Sequence, residues 1–303
     1  MPINTGSHPK ALWPGVHTFF GNEYERLPKE YPHIFEENAS ELAYEEMVES
    51  TAFGLAQAKP QGAGFYYDSH QQGYISRFYH TLWGLGYIVT YEEVQDNKYL
   101  KKSFDRAKML AYSLHITKEI NAANFLNFAF DASGHPFADG VALCSSSHPT
   151  VSGLQSNVAA NAADISEASV EDLLVQISLT TDNRGNRIAN PPKCVVVSAQ
   201  DQFNIARILH SPLQSGTGNN DINAIRHLKA FPRDYIVNHY LNTAPPSWFI
   251  LTELPNGLTL FQREKYRFMQ DNDGDTLNAK AKAFERYVFG CGEWRQVFGN
   301  QGV

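Results

Sequence analysis

Cysteine is nearly absent. Cys144, Cys194 and Cys291 stand far apart, are odd in number and form no C-x-x-C pair, which argues against a disulfide framework and fits a reducing compartment. Long apolar runs are also missing: no window approaches the ~20 residues that cross a bilayer. The opening MPINTGSHPK has no apolar core of a signal peptide, so a soluble chain made inside the cell is expected. Charge is sparse at 19% and tilts acidic, with a formal net charge of −7. Such a chain gains little from counterion release, so tight direct binding to nucleic acid is not expected. No internal repeat is visible.

Catalytic signatures are lacking too. Ser145, Ser146 and Ser147 precede His148, but no G-x-S-x-G elbow surrounds them. Cys144 with His135 lacks a third, orienting group. Asp271, Asp273 and Asp275 resemble the start of a calcium loop, yet Thr276 and Lys282 stand where Gly and Glu would be needed. The eleven histidines are scattered, and Gly62-Ala63-Gly64 opens neither a dinucleotide fingerprint nor a P-loop. No catalytic, cofactor-binding or metal residue is therefore assigned.

What is present is apolar mass, 43% of 303 residues, and aromatic mass, 13%, with 15 Tyr and 19 Phe. That is enough to bury a real core. Many aromatics fall among turn signals, as in Phe65-Tyr66-Tyr67 and Tyr79. Two readings stay open: burial against another chain, or satellite packing under long loops.

Residues 1–40 mix Pro2, Pro9, Pro14, Pro28 and Pro32 with Trp13, Phe19, Phe20, Tyr31 and Phe35, and read as an extended arm lying on some other surface. Residues 41–56 read as weakly helical. Phe65–Tyr67 and Tyr74–Thr90 read as a long hairpin around DSHQQG, with Gly84 and Gly86 bulging the returning strand. A lone hairpin is marginal in water and wants a partner. Asp96 or Asn97 caps a helix to about Phe130, with a stripe at Leu100, Phe104, Ala107, Ala111 and Leu114; such a helix spans about 50 Å. After Gly134 comes a small, polar stretch. Ser169 with Asp172, and Ser198 with Asp201, form capping-box patterns before two helices. Strands follow at Cys194–Val197, Tyr235–Val237 and Trp248–Thr252, with a mobile loop at 214–223. Strands around DNDGD (271–275) close the chain.

The segments ALWPGVHTFFGNEY (11–24), 54–99, GVALCSSSHPTVSGLQSN (140–157), VVVSAQDQFNIARILHSP (195–212) and FERYVFGCGEWRQVFGNQG (284–302) resemble the major capsid proteins of tailed bacteriophages, in particular Mu-like major head subunits. The resemblance implies an α+β, Hong Kong 97-type capsid fold: an N-terminal arm (1–53), an E-loop hairpin (54–93), a peripheral domain (94–160 and 261–303) with spine helix 97–130, and an axial α/β domain (161–260). It implies self-assembly into pentamers and hexamers of an icosahedral shell around double-stranded DNA, in the virion capsid, built in the bacterial host cytoplasm. Trp13, Phe19, Phe20, Phe65, Tyr66, Tyr67, Tyr79 and Trp83 are then the expected contacts between subunits.

Implied partners are copies of the chain, a separate scaffolding protein, a portal and optionally a decoration protein. DNA would be touched only weakly, and no membrane is involved. The arm begins within ten residues of Met1, so a large cleaved N-terminal scaffold is not expected. Lys59 lies at the hairpin base, but no pattern supports the Lys–Asn crosslink between subunits that some family members form. The rival readings are an encapsulin-type nanocompartment shell, a hydrolase using Ser147 or Cys144, and a tail-tube or decoration protein.

Overall fold

The computed structural model describes residues 13–95, 99–133, 135–214, 221–272 and 278–303. From Trp13 to Ile34 the proline-rich start holds two helices rather than an extended arm, and residues 1–12 lie outside the described residues. Helix α1 (Trp13–Arg26) carries Pro14 in its first turn, where a missing N–H costs no intrahelical bond. Helix α2 (Tyr31–Ile34) begins with Pro32 in the same way. Phe20 and Tyr24, one turn apart, are buried, so these aromatics find their partners inside the chain.

A short strand β1 (Glu36–Ala39) precedes β2 (Tyr44–Ser50), β3 (Gln72–Tyr79) and β4 (Thr81–Val89). The expected helix at 41–56 is thus the strand β2, because its side chains alternate with period two and Tyr44, Met47 and Val48 pair with Tyr79, Ser76 and Ile75 of β3. The hairpin is β2 with β3, linked by residues 51–71. Phe65–Tyr67 belong to that link and not to a strand.

The run 74–90 is two strands, broken at His80, that serve different sheets. Gly84 and Gly86 do not bulge: β4 keeps an unbroken register with Phe284 and Lys282 of β11 (Ala279–Cys291). A Cβ at Gly86 would meet the Ala281 carbonyl at 2.8 Å, so glycine there permits close strand approach.

After α3 (Tyr91–Gln95) comes the spine helix α4 (Tyr99–Asn127), 29 residues long and about 43 Å at 1.5 Å per residue. Asp96 and Asn97, the expected caps, lie outside the described residues. Ala107, Leu110, Ala111 and Leu114, then Ala122, Ala123 and Leu126, form its buried stripe. The stripe faces the inward row of β11, with Ala279, Ala281 and Ala283. Small residues on both sides let helix and sheet come close. Phe19 packs edge-on to Phe104 at 5.0 Å, Phe20 stacks on Phe268 at 5.0 Å, and Tyr24 meets Tyr266 at 4.5 Å.

The polar stretch after Gly134 contains a small hairpin, β5 (His148–Thr150) with β6 (Gly153–Gln155). Helix α5 (Glu167–Ser178) is capped one turn earlier than the pattern suggested, by a Ser166–Ser169 box. Strand β7 (Pro192–Ser198) leads to α6 (Gln202–His210), whose N-cap Asp201 makes no side-chain capping bond. The Ser198–Asp201 box is therefore not formed. Most of the 214–223 loop lies outside the described residues. Helix α7 (Ala224–Leu228), β8 (Tyr235–Asn238), β9 (Trp248–Thr252) and β10 (Leu258–Asn272) follow. A single 3-10 turn (Trp294–Gln296) precedes the last strand, β12 (Val297–Asn300).

Two four-stranded sheets result, β1-β10-β11-β4 and β12-β9-β7-β8. The second is buried on both faces: Val195, Val197, Trp248 and Ile250 enter one cluster with α5 and α6, while Cys194, Val196, Phe249 and Leu251 enter another with the end of α4. Its edge strand β12 comes from the C-terminus, so this sheet draws a strand from outside 161–260.

Candidate interaction surface

The largest display of unpartnered aromatic surface is the link between β2 and β3. Phe65, Tyr66 and Tyr67 are 72%, 65% and 88% exposed, and Tyr79 on β3 is 63% exposed. Lys59 Nζ sits over the Phe65 ring at 4.6 Å, which steadies the link without covering it. Strand β4 adds exposed Leu82 and Ile88 on one face and exposed Leu85 on the other. These three were missed in the sequence, although the run LWGLGYIV has apolar residues on both strand faces.

The other expected contacts divide. Phe20 is fully buried and cannot meet a neighbour; this corrects the sequence expectation. Phe19 is half-buried against Phe104. Trp83 is half-buried and stacked on Tyr287 at 6.3 Å. Trp13 opens α1, but its side chain is outside those described.

The link is floppy by composition but tethered at both ends. At its base, Thr51 and Gln71 bond each other's backbone. Nearer the tip, Asp68 accepts from Gly54 N at 2.7 Å and from Arg184 Nη1 at 2.7 Å. The Gly54 N–H, the Ser69 N–H and the Arg184 guanidinium hold the Asp68 carboxyl below its ordinary range, against a smaller opposing effect of desolvation. Arg184 also donates to Ser69 O, so the 182–187 turn of the α5–β7 connection grips the hairpin.

Beneath β2 lies Arg295, almost wholly buried. It sits 3.6 Å from Glu49 and 2.9 Å from Glu293, and donates to Thr181 O and Asn183 Oδ1. Asn183 Nδ2 in turn donates to Glu49 Oε1 at 2.8 Å. One guanidinium thus ties three parts of the chain together.

The candidate nucleophiles lie in structural surroundings. His148 is buried, with Nδ1 2.6 Å from Asp139 Oδ2 and Nε2 3.1 Å from Asn157 Oδ1, and it stacks on Trp294 at 4.0 Å. Both ring nitrogens face structural partners rather than Ser147 or Cys144. Burial pushes the Cys144 and Cys291 thiols far above their ordinary range and Cys194 up to about 11, away from a reactive thiolate. Ser145 Oγ is 3.3 Å from Ser147 Oγ and accepts from Ser147 N, the pattern of a polar turn. Among the described residues no group of three or more His, Cys, Asp or Glu could hold a metal ion, and no helix is long and apolar enough to cross a membrane.

No protein-family model and no curated protein sequence matches the chain. Solved structures do match, over most of its length. The virus-like particle from Pyrococcus furiosus aligns over 95% of this chain and 98% of its own, with TM-score 0.54 and 9% identity. The capsid of an empty GTA particle aligns over 91% of both chains, with TM-score 0.58 and 11% identity. A Mycobacterium phage Adephagia chain covers 91% of both, with TM-score 0.54 and 10% identity. The chain has the Hong Kong 97-type capsid fold.

At such low identity the likeness concerns the fold alone. The side chains on the β2–β3 link are this chain's own.

Proposed function

We propose that the chain is the major head subunit of a tailed bacteriophage, which assembles through copies of itself into hexamers and pentamers of an icosahedral shell enclosing double-stranded DNA. The observation that carries the reading is the E-loop: a tethered projection bearing three adjacent, exposed aromatics on a capsid-type body. Exposed aromatic anchors on a fixed base are the groups that dominate protein–protein contacts. Closed shells need many such heterologous contacts related by symmetry. The role proposed is structural and non-catalytic, in the virion capsid, with assembly in the host cytoplasm. The acidic balance supports only weak contact with packaged DNA. The narrower assignment to Mu-like head subunits rests on the ordered segments 11–24, 54–99, 140–157, 195–212 and 284–302. A separate scaffolding protein, a portal and a decoration protein follow from that resemblance.

The test is particle formation. The purified chain should give megadalton, roughly spherical particles by light scattering and negative-stain microscopy. Replacing Phe65, Tyr66 and Tyr67 together by Ser should leave subunit melting within ~0.5 kcal/mol of wild type, as for exposed positions, yet abolish particles. A chain that stays monomeric or dimeric under all assembly conditions refutes the shell role. Normal particles from the triple variant remove the E-loop aromatics from it.

A second reading, a nanocompartment shell without a genome, is favoured by the match to the virus-like particle over 95% of this chain. Particles from infected cells that contain protein cargo and no phage DNA would select it.

A further inference from the structure

The β2–β3 hairpin joins the rest of the subunit at two corners, where β1 leads into β2 and where β3 leads into β4. His80 alone separates the strands at the second corner, and it is buried. Its Nε2 lies 2.8 Å from the Oγ of Ser40, which is buried at the first corner. Ser40 Oγ also donates to Glu45 Oε1 on β2. The backbone of Ser40 is fixed to β10: its N–H donates to Gln262 O at 3.0 Å, and Arg263 Nη1 donates to its carbonyl at 3.4 Å. One imidazole and one hydroxyl thus tie the two roots of the hairpin to each other and to the body.

A hydroxyl has one proton to donate, and a carboxylate can only accept. With the Ser40 proton directed at Glu45, Ser40 Oγ accepts from His80, and the ring proton of neutral His80 sits on Nε2. Nδ1 is then a bare lone pair. It is buried and has no hydrogen-bond partner among the described residues. A second proton, on Nδ1, would make a buried N–H with nothing to accept it, which is unfavourable. It would also add a cation where Arg286 of β11 and Arg263 of β10 already face the ring, opposed by Glu45 of β2. Burial and then Arg286 hold the His80 pKa below its ordinary value; Glu45 pulls it up and Arg263 lowers it further.

We propose that His80 is an acid-released clasp: neutral, it locks the two roots of the hairpin together through Ser40, and on taking a proton at Nδ1 it leaves its site and frees both corners. Because the closed site disfavours that proton, the contribution of His80 to closure is complete above about pH 6.5 and is lost as pH falls below it. At about pH 5.5, one unit lower, the open corner gains up to about tenfold over neutral pH. Other ties of the hairpin to the body, Phe78 stacked on Phe261 at 5.8 Å and Arg295 beside Glu49, hold no histidine, so the opening is confined to the corners.

The clasp lies within one chain and stands apart from the shell reading, so the test uses unassembled full-length subunits. Hydrogen exchange with mass spectrometry is compared at about pH 7.5 and pH 5.5, corrected for the intrinsic pH dependence of amide exchange, in peptides covering residues 40–45 and 78–82. Protection there should fall by up to about tenfold in wild type at the lower pH. His80→Gln, checked for folding by circular dichroism, keeps a neutral donor in place of Nε2–H and should hold its protection at both pH values. Glu119 and His115 titrate in both proteins, so the comparison removes them. Nitrogen NMR of the wild type should find the Nε2–H tautomer at about pH 7.5, and a protonated ring as protection is lost. Wild-type protection that does not change, or that falls equally in His80→Gln, overturns the proposal. So does an Nδ1–H tautomer at neutral pH, or a loss of protection while His80 stays neutral.

Discussion

Glu119 shows how one buried carboxylate makes the subunit sensitive to pH. It lies on α4 and accepts the backbone N–H groups of Glu30 and Tyr31 at 2.9 Å and 3.1 Å. Burial raises its pKa to about 7, although those two N–H bonds and Lys118 pull it down. The folded chain therefore binds more protons here than the unfolded chain between about pH 4.5 and 7, and this contribution to stability falls as pH rises through that window. His115, 4.0 Å away, acts the other way: burial lowers its pKa, so its contribution falls as pH drops. Comparison with Glu119→Gln isolates the carboxylate. The melting temperature of wild type minus that of the variant should decrease from about pH 5 to about pH 8; a difference that stays flat contradicts the assignment. None of this was legible in the sequence, because Glu119 meets Glu30 across 89 positions. For Phe65, Tyr66 and Tyr67 the sequence left open burial against another chain or packing under a loop, and the structure leaves all three exposed. Phe20 misled because proline was read as extension, whereas in a helix's first turn it is tolerated.

Among elements, the strand pair β4–β11 turns on glycine. At Gly86 an added Cβ would sit 2.8 Å from a backbone oxygen and 3.2 Å from Lys282 Cβ, whereas at Gly64 nothing lies within 4 Å. Gly86→Ala should therefore destabilise the subunit by ~2 kcal/mol through overpacking, while Gly64→Ala should change it by less than ~0.5 kcal/mol. Denaturant melts of both variants decide this, and equal midpoints would contradict the close-approach reading. The spine helix was legible from its four-and-three spacing, and β9 from the apolar run after Pro245-Pro246. The β2–β3 hairpin was only half legible: YEEMVES fits a strand or a weak helix, and only pairing with β3 decides between them.

At the scale of the whole molecule, the long helix α4, the strands β7, β8 and β9 and the closing strands could be read along the chain, whereas the arm is helical from Trp13 and the hairpin is β2 with β3. The assembly of the second sheet could not, because β12 reaches β9 only after folding and no local pattern announces a strand partner some fifty residues away. The shell reading makes a prediction at this scale. Backbone amides of residues 55–67 should exchange with solvent within seconds in the free subunit and become protected in assembled particles, measured by hydrogen exchange with mass spectrometry. Equally fast exchange in both states would mean that nothing covers the loop.

Arg295 has a mechanical consequence. It stands two residues before β12, whose ladder with β9 runs from Val297 to Asn300, and it grips Glu49 on the hairpin and Asn183 on the neighbouring turn. A pull on the hairpin is therefore transmitted through a rigid planar cation into a row of backbone hydrogen bonds stretched together, and not into a flexible joint. In a container under internal pressure, tension that enters at the projecting loop would be shared across the most deeply buried sheet of the subunit.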